Sequence, residues 1–410
     1  MSTTISAKAF DVRAKSEPAP SIVPLSLFAL STFGQRLGFW LSGFPFPLVL
    51  FISPLLFGYG LFKQRLKVSI IRTFLFSLMV VSFSASFAFG RAEWLSVQSA
   101  ILLLAVYAPW VLYAPTSSQE YDHFVRRVAF WAGVLGVLAA MQYAGQFLVP
   151  SELWFSWRSV ISKDFLIEYN TLNELSYGAG IYKGNGLFLL EPSTLSGLVA
   201  RVLLLTVVAL GTLKYALPLG VGLLAALSGT GLVFTGLFTV PASFRLITKR
   251  SLAPRQLFLL TVVTIGFALL LSNTFVGQYF VDRTHEFSNP RASGYARFTS
   301  TFIVFQQYLT RDLGDFLLGY GPGSFKHLAR HITDETFGSG WIKLFIEYGF
   351  MGFLTFSAFF LYCVYTSTRS AFLSIALLTQ YLILDGAIAV PQLAFLTFAI
   401  FIFPVRSASR

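Results

Sequence analysis

The sequence has few of the residues on which soluble and disulfide-bonded proteins depend. It contains 410 residues but one cysteine, Cys363, so no intrachain disulfide and no cysteine-based metal cluster can form. Charged residues make up 12%, against about 25% in soluble domains, whereas apolar residues make up 55%. So little polar surface cannot cover a water-soluble particle of this size. The composition excludes two or three soluble domains and predicts a polytopic membrane protein.

Three further features are not expected or not found. We expect no cleavable signal peptide, and the sequence shows no internal repeat and no low-complexity tract. Residues 1–21 mix basic, acidic and proline residues, and we expect them to form a short, disordered cytoplasmic tail.

Apolar runs predict an all-α bundle of about twelve transmembrane segments over residues 22–405. A helix needs about 20 apolar residues to cross a bilayer. Two long stretches, 215–244 and 371–404, are divided by the turn residues 228–231 and by Asp385 with Gly386. The predicted segments are 22–35, 44–62, 68–89, 95–114, 128–149, 186–211, 215–227, 231–244, 256–272, 341–365, 371–385 and 388–404. The two halves of 215–244 are the short ones.

The formal charge of +12 indicates orientation. With this division, basic residues concentrate on one side, which the positive-inside rule assigns to the cytoplasm together with both termini. The charge therefore predicts no nucleic-acid partner. Two long loops, 150–185 and 273–340, face the opposite side. In the second, Phe298, Phe302, Phe305 and Leu309 follow a 0, 4, 7, 11 spacing, which predicts an amphipathic helix on membrane lipids or on the bundle.

The loop 273–340 also holds most candidates for chemistry. Its arginines include Arg283, Arg291 and Arg297, whose planar guanidinium groups suit phosphate oxygens. Alternatively, these side chains extend to lipid head groups or pair with nearby acids. His327 and His331, with Asp334 close behind, are candidates for a general base. A metal site lacks a clear third ligand, and a surface histidine without a role is the other alternative.

Two candidates lie where residues 186–211 enter and cross the membrane. Glu191 precedes Pro192, which predicts a helix start at which a carboxylate is favoured. Arg201 lies about 15 Å further along this helix. A charge at that depth must face a partner or a watery cavity, so Arg201 is either paired inside the bundle or functional.

Four segments together resemble the Wzy-type polysaccharide polymerases and O-antigen ligases of bacteria. They read GLFLLEPS (186–193), SGTG (228–231), LLGYGPGSF (317–325) and IEYGFMG (346–352). The order of the last two is the most specific feature, and the resemblance covers residues from about 186 to 365. It implies a helical bundle in the bacterial inner membrane with a large periplasmic loop. It also implies a metal-independent glycosyltransferase, without a cofactor, whose substrates are undecaprenyl-diphosphate-linked oligosaccharides.

The resemblance assigns roles to individual residues. Arg297 best matches the loop arginine that engages the diphosphate, and Arg291 is the second choice. The candidates for the base that activates the acceptor hydroxyl are His327, His331, Asp334 and Glu191. Further substrate-binding candidates are Arg201, Arg283, Tyr320, Lys343 and Glu347, although Lys343 and Glu347, spaced i, i+4, can simply pair.

One departure from the family pattern bears on the type of reaction. Ligases carry a His-Asn pair before the glutamate of the last motif, where this sequence has residues 337–340, Phe-Gly-Ser-Gly. The sequence therefore favours an exopolysaccharide or capsule polymerase that extends a glycan on its lipid carrier. For such a polymerase the resemblance implies a chain-length regulator and a flippase as partner proteins. The alternatives are an O-antigen ligase and a transporter of lipid-linked oligosaccharides. A transporter would favour inverted repeats and charges at the membrane midplane.

Overall fold

The helices of the structure follow the apolar runs of the sequence. The computed structural model describes residues 22–41, 44–90, 95–168, 171–175, 180–249, 294–295, 299–309, 312–330, 332, 339–368, 370–385 and 388–404. The helices are α1 (Ile22–Phe33), α2 (Leu48–Phe62), α3 (Ile70–Phe89), α4 (Val97–Tyr107), α5 (Ser118–Gly145), α6 (Ser151–Phe155), α7 (Pro192–Val208), α8 (Ala216–Ala226), α9 (Gly229–Phe234), α10 (Val240–Lys249), α11 (Ser300–Val304), α12 (Leu313–Leu318), α13 (Ser324–Ala329), α14 (Gly340–Thr366), α15 (Ala371–Thr379) and α16 (Pro391–Phe401).

Short irregular and extended segments complete the described chain. Single π-helical turns join α9 to α10 (Thr235–Thr239) and extend α11 (Phe305–Leu309) and α15 (Gln380–Leu384). Two antiparallel strand pairs are present, β1 (Gly38–Leu41) with β2 (Phe44–Pro47) and β3 (Lys67–Val68) with β4 (Leu112–Tyr113). Helices therefore dominate the fold, as predicted.

Four described helices are long and apolar enough to cross a membrane: Ile70–Phe89, Ser118–Gly145, Gly229–Ile247 and Gly340–Thr366. The remaining apolar helices of the described chain have 10–17 residues, fewer than the about 20 that one crossing takes. The structure thus agrees with a helical membrane protein, whereas twelve crossings stay a prediction. The predicted segment 256–272 lies outside the described residues.

Several predicted segment boundaries were wrong. The segment predicted from residue 186 becomes helical only at Pro192, and two other boundaries were wrong for local reasons. Residues 44–47 are strand rather than helix, because Pro45 and Pro47 hold the preceding residues extended. The helix predicted to begin at residue 128 begins at Ser118. The Ser117 hydroxyl accepts from the Glu120 N–H while the Glu120 carboxylate accepts from the Ser117 N–H, and this capping box outweighs the polarity of the first turns.

The predicted break within residues 215–244 is present at the expected place. The expectation of two short halves was wrong for the second one, because Gly229–Ile247 has 19 residues and is apolar enough to cross a membrane. Leu227 ends α8 with a left-handed φ of 42°, and Ser228 precedes α9. The Ser196 hydroxyl, on α7, donates to the Ser228 carbonyl (3.2 Å) and accepts from the Gly231 N–H (3.1 Å). A Cβ on Gly231 would lie 2.2 Å from Ser196 Oγ, so only glycine allows this approach. The break is therefore fixed by a side chain of α7.

The second predicted break, at Asp385, is also present. The π-helical turn after α15 ends at Leu384, and α16 begins at Pro391. The Tyr107 hydroxyl, at the end of α4, donates to the Ile388 carbonyl (3.1 Å) and lies 2.6 Å from the Tyr381 hydroxyl. The buried Tyr107 hydroxyl thus satisfies a backbone carbonyl that has no helical hydrogen bond here.

Two large apolar cores hold the described chain, beside a small cluster of Leu175, Leu227 and Tyr143. The larger lies among the long helices, and the smaller joins α11, α12 and α13 to the first turns of α14. The predicted stripe of α11 contributes Phe305 and Leu309 to the smaller core. Phe302, however, is 55% exposed while Val304 is fully buried, because the π-helical turn changes the helical spacing. Phe298 lies outside the described residues.

Candidate functional site

The glycine-rich turn after α12 is hydrogen-bonded to a break in α14. Gly349 has φ 65° and ψ −172°, which interrupts the helix and leaves carbonyls without helical partners. The N–H of Tyr320 donates to the Ile346 carbonyl and the N–H of Gly321 to the Glu347 carbonyl, each at 2.9 Å. The two motifs that carry the family resemblance therefore form one unit, which we call the motif unit (residues 317–325 and 346–352).

Elements α3 and α4 hold the motif unit from the other side. The Ser86 hydroxyl donates to the Tyr348 carbonyl (3.1 Å), and the Tyr348 ring stacks on Phe83 at 3.8 Å. The N–H of Ser96, which caps α4, donates to the Pro322 carbonyl (2.8 Å). The turn and the break are thus anchored to two helices of the larger core.

Glu347 is buried inside the motif unit. Its carboxylate accepts hydrogen bonds from the N–H groups of Gly323 and Phe325, at the start of α13, and interacts electrostatically with Lys343. The predicted pairing of Lys343 with Glu347 is thus one part of a larger arrangement. Since Glu347 is 2% exposed, its contacts are those of a carboxylate that caps a short helix.

Tyr320 is also buried, and its hydroxyl donates to the Tyr308 carbonyl (2.9 Å). This bond links the turn to the segment after α11, so Tyr320 shapes the motif unit rather than an open surface. His327 lies on α13 and is exposed, as are its neighbours Lys326 and Arg330. The other predicted loop residues, Arg283, Arg291, Arg297, His331 and Asp334, lie outside the described residues.

Glu191 and Pro192 begin α7, as predicted. Glu191 occupies the N-cap position, Pro192 the first helical position, and the Ser193 hydroxyl donates to the Glu191 carboxylate (2.7 Å). The turn before them is held by the residues that follow α1, because the Leu190 N–H donates to Gln35 Oε1 (2.8 Å). The carboxylate is partly exposed at the start of a helix, where a negative charge is favoured.

A buried arginine, Arg36, joins the loop around Phe155 to the turn that precedes Glu191. The Arg36 guanidinium donates to the carbonyls of Leu187 (2.9 Å) and Phe155 (2.7 Å) and forms an ion pair with Glu168. It also lies 4.8 Å from the ring centroid of Trp157. Burial lowers the pKa of Arg36, and the Glu168 carboxylate opposes that shift. We call these residues the Arg36 clamp.

The Arg36 clamp was not predicted from the sequence. Arg36 and Glu168 are 132 positions apart, and neither residue belongs to a motif. The apolar segment that precedes Arg36 and the aromatic residues of the loop were the only signals, and they do not specify a pair.

Arg201 has partners inside the bundle. Its guanidinium donates to the Gly197 carbonyl (3.1 Å) and to the Thr397 hydroxyl (3.0 Å) and lies 3.7 Å from the Asp385 carboxylate. Gln380 donates to the same Gly197 carbonyl (3.0 Å), while its Oε1 atom has no hydrogen-bond donor in the described part of the chain. Of the two alternatives for Arg201, these contacts favour pairing inside the bundle.

One contact relates the start of α14, which leads into the motif unit, to the Arg201 region. A Cβ on Gly340, at the start of α14, would lie 2.4 Å from Ile388 Cδ1, and Ile388 follows Asp385 by three residues. The first turns of α14 therefore rest on the break that carries Asp385. A pronounced apolar groove of about 290 Å³ lies elsewhere, between α5 and Pro218, and touches none of the predicted site residues.

Comparison with known proteins gives no family. No protein-family model matches the chain, and no curated protein is significantly similar to it. Within the described residues, no group of three or more His, Cys, Asp and Glu side chains is placed to hold a metal ion. The fold and the site together define a mostly helical protein with candidate membrane-spanning helices.

Proposed function

We propose that the protein is a polysaccharide polymerase of the bacterial inner membrane. It transfers a growing glycan from undecaprenyl diphosphate to the non-reducing end of a new lipid-linked repeat unit at the periplasmic face. The observation that carries the proposal is the motif unit. The two segments on which the resemblance rests are about 20 residues apart along the chain, and their backbones bond to each other.

The reaction requires a cation at the leaving group and a base at the acceptor. The base removes the proton of the acceptor hydroxyl, whose oxygen attacks the anomeric carbon of the donor. The bond from that carbon to the phosphate oxygen breaks, and lipid diphosphate leaves with the electron pair. We assign Arg297 to the diphosphate, with Arg291 or Arg283 beside it, because arginine stabilises the growing negative charge. The candidates for the base are His327, His331, Asp334 and Glu191.

The contacts of the described residues bear on four of the predicted site residues. His327 is exposed on a helix whose start is capped by Glu347, so the motif unit holds it in place. Glu191 is partly exposed and lies at a fixed helix start. Arg201 is 2% exposed and engaged with Thr397 and Asp385, which makes it a weaker candidate for direct contact with diphosphate than the loop arginines. Lys343, which is partly exposed, remains a substrate-binding candidate.

The test uses purified protein and lipid-linked repeat units, with and without a chelator. We expect chain growth in both conditions, and none with Arg297→Ala at unchanged expression. The control is Arg127→Ala, which removes an exposed arginine of α5 far along the chain from both motifs. Full-length polymer from Arg297→Ala would contradict the assignment.

A second candidate function is transport of lipid-linked oligosaccharide. Transporters bind substrates at discontinuous helices. Here α7 contacts two helix breaks, one between α8 and α9 and one between α15 and α16, and the Arg201–Asp385 pair lies at the second. This arrangement favours transport. A deletion strain distinguishes the functions. Loss of a polymerase leaves single repeat units, loss of a ligase leaves lipid-bound polymer, and loss of a transporter leaves units in the cytoplasm.

A further inference from the structure

The exposed apolar side of α5 continues beyond the end of the helix. Phe130, Val137 and Met141 are 44–55% exposed and follow a 0, 7, 11 spacing, so they share one side of a candidate membrane-spanning helix. The helix ends at Gly145, and Phe147 and Leu148 follow at 61% and 86% exposure. Apolar exposure thus increases where the chain leaves the helix, where polar residues would be expected in water.

Three more apolar side chains of the same segment are exposed. Leu153, Val160 and Phe165 are 61–87% exposed, whereas Phe155 between them is fully buried. The segment is anchored, because Arg36 binds the Phe155 carbonyl and the N–H of Trp157 donates to Glu168 (3.0 Å). These side chains are therefore held at the surface by a fixed backbone.

Trp40 has the same character on the neighbouring strand β1. Trp40 is 48% exposed, while its indole N–H donates to the Leu166 carbonyl (2.9 Å), next to Phe165. A tryptophan with a satisfied N–H and an exposed ring is typical of the boundary between bilayer and water.

We propose that residues 147–165 form an interfacial segment that inserts its apolar side chains into one leaflet of a phospholipid bilayer. The bilayer is the fitting partner because the exposed side of α5 continues directly into the segment. The exposed charged residues Glu152, Arg158, Lys163 and Asp164 then lie among the head groups. The Arg36 clamp joins this segment to Leu187, in the turn before Glu191. Insertion of the segment therefore also sets the distance of that turn from the membrane surface.

The single native cysteine makes the proposal testable by labelling. Cys363 is buried, so a thiol-reactive bimane dye should react with introduced cysteines and leave the wild type unlabelled. The test variants are Leu148→Cys and Val160→Cys. Met141→Cys reports the exposed side of α5, and Lys163→Cys is the matched exposed polar position of the same segment. All four are measured in phosphatidylcholine vesicles with nitroxide quenchers on the acyl chains and with iodide in the water.

We expect the labels at positions 148 and 160 to be quenched by the nitroxide lipids at least about twofold more strongly than the label at 163, consistent with insertion by about 5–10 Å. Iodide should show the opposite order. The proposal is overturned if positions 148 and 160, or position 160 alone, behave like position 163 while position 141 is quenched by lipid. Absence of lipid quenching at position 141 would overturn it as well, because α5 would then not lie in the bilayer.

Discussion

Gly319 and Gly349 meet backbone to backbone. A Cβ on either residue would lie 2.5 Å from the backbone nitrogen of the other, and both residues have positive φ, 76° and 65°. Each position therefore requires glycine for two reasons, its backbone conformation and the close approach of the other backbone. This contact allows the glycine-rich turn to bond with the carbonyls at the break in α14.

Gly349→Ala should destabilise the protein. The new Cβ would lie 2.4 Å from the Leu317 carbonyl oxygen and would occupy a conformation that L side chains rarely adopt. We expect a loss of about 2 kcal/mol or more in the free energy of unfolding, measured by denaturant titration in detergent micelles. Gly220→Ala, on α8, is the control, because a Cβ there meets nothing within 4 Å. Equal stability of the two variants would contradict this account of the motif unit.

Glu347→Ala should lower stability without a specific effect on substrate affinity. The change leaves the N–H groups of Gly323 and Phe325 without their acceptor inside the motif unit, at a cost of about 1–3 kcal/mol. Lys343→Ala, on the partly exposed side, should cost less than about 1 kcal/mol. The comparison uses the same titration, together with KM for lipid-linked repeat units below the melting transition. A raised KM for Glu347→Ala in fully folded protein would instead assign this carboxylate to substrate binding.

The sequence allowed prediction of those features of the fold that depend on neighbouring residues. The apolar runs gave the helices, and the turn composition at Ser228 and the charge at Asp385 gave both breaks, because a helix ends where its local sequence disfavours it. The capping box at Ser117 is equally local and could have been read, but the polar first turns of α5 suggested a loop.

Contacts between distant segments were not predictable in the same way. The apolar run around Gly349 reads as one uninterrupted span, and the positive φ at that residue arises from its contact with the turn at Gly319. Tyr320 stood out as an aromatic residue in a glycine-rich turn, which suited substrate binding, whereas its hydroxyl is bound to the backbone at Tyr308. Pairing of such groups depends on tertiary structure, which a single sequence does not specify.

Asp385→Ala should destabilise the protein more than loss of an exposed acid does. The change leaves Arg201 buried without a carboxylate, which we expect to cost about 3 kcal/mol. The double variant Arg201→Met with Asp385→Leu removes both charges together, so no buried charge is left unpaired. It should recover most of the lost free energy of unfolding. Asp164→Ala, at an exposed position, should change stability by less than about 0.5 kcal/mol. A double variant no more stable than Asp385→Ala would show that the two residues do not act as a pair.

Arg36→Ala should release the loop that precedes α7. The variant loses the bonds to the carbonyls of Leu187 and Phe155 and leaves the buried Glu168 without this partner. Because these contacts join the loop to the turn after α1 but lie outside the larger core, the helices should stay folded while protease cleavage within residues 150–170 becomes faster. Limited proteolysis in vesicles, with fragments identified by mass, measures both effects.

Arg158→Ala is the matched control for the Arg36 clamp. Its guanidinium also contacts Glu168, at 2.9 Å, but its side chain is 68% exposed, so screening by water makes this ion pair worth less than about 1 kcal/mol. We therefore expect wild-type cleavage rates from Arg158→Ala and increased rates from Arg36→Ala. If both variants were cleaved faster than the wild type and at equal rates, Glu168 itself would hold the loop through its bond to the Trp157 N–H. If neither variant were cleaved faster than the wild type, the burial of Phe155 would be sufficient to hold the loop.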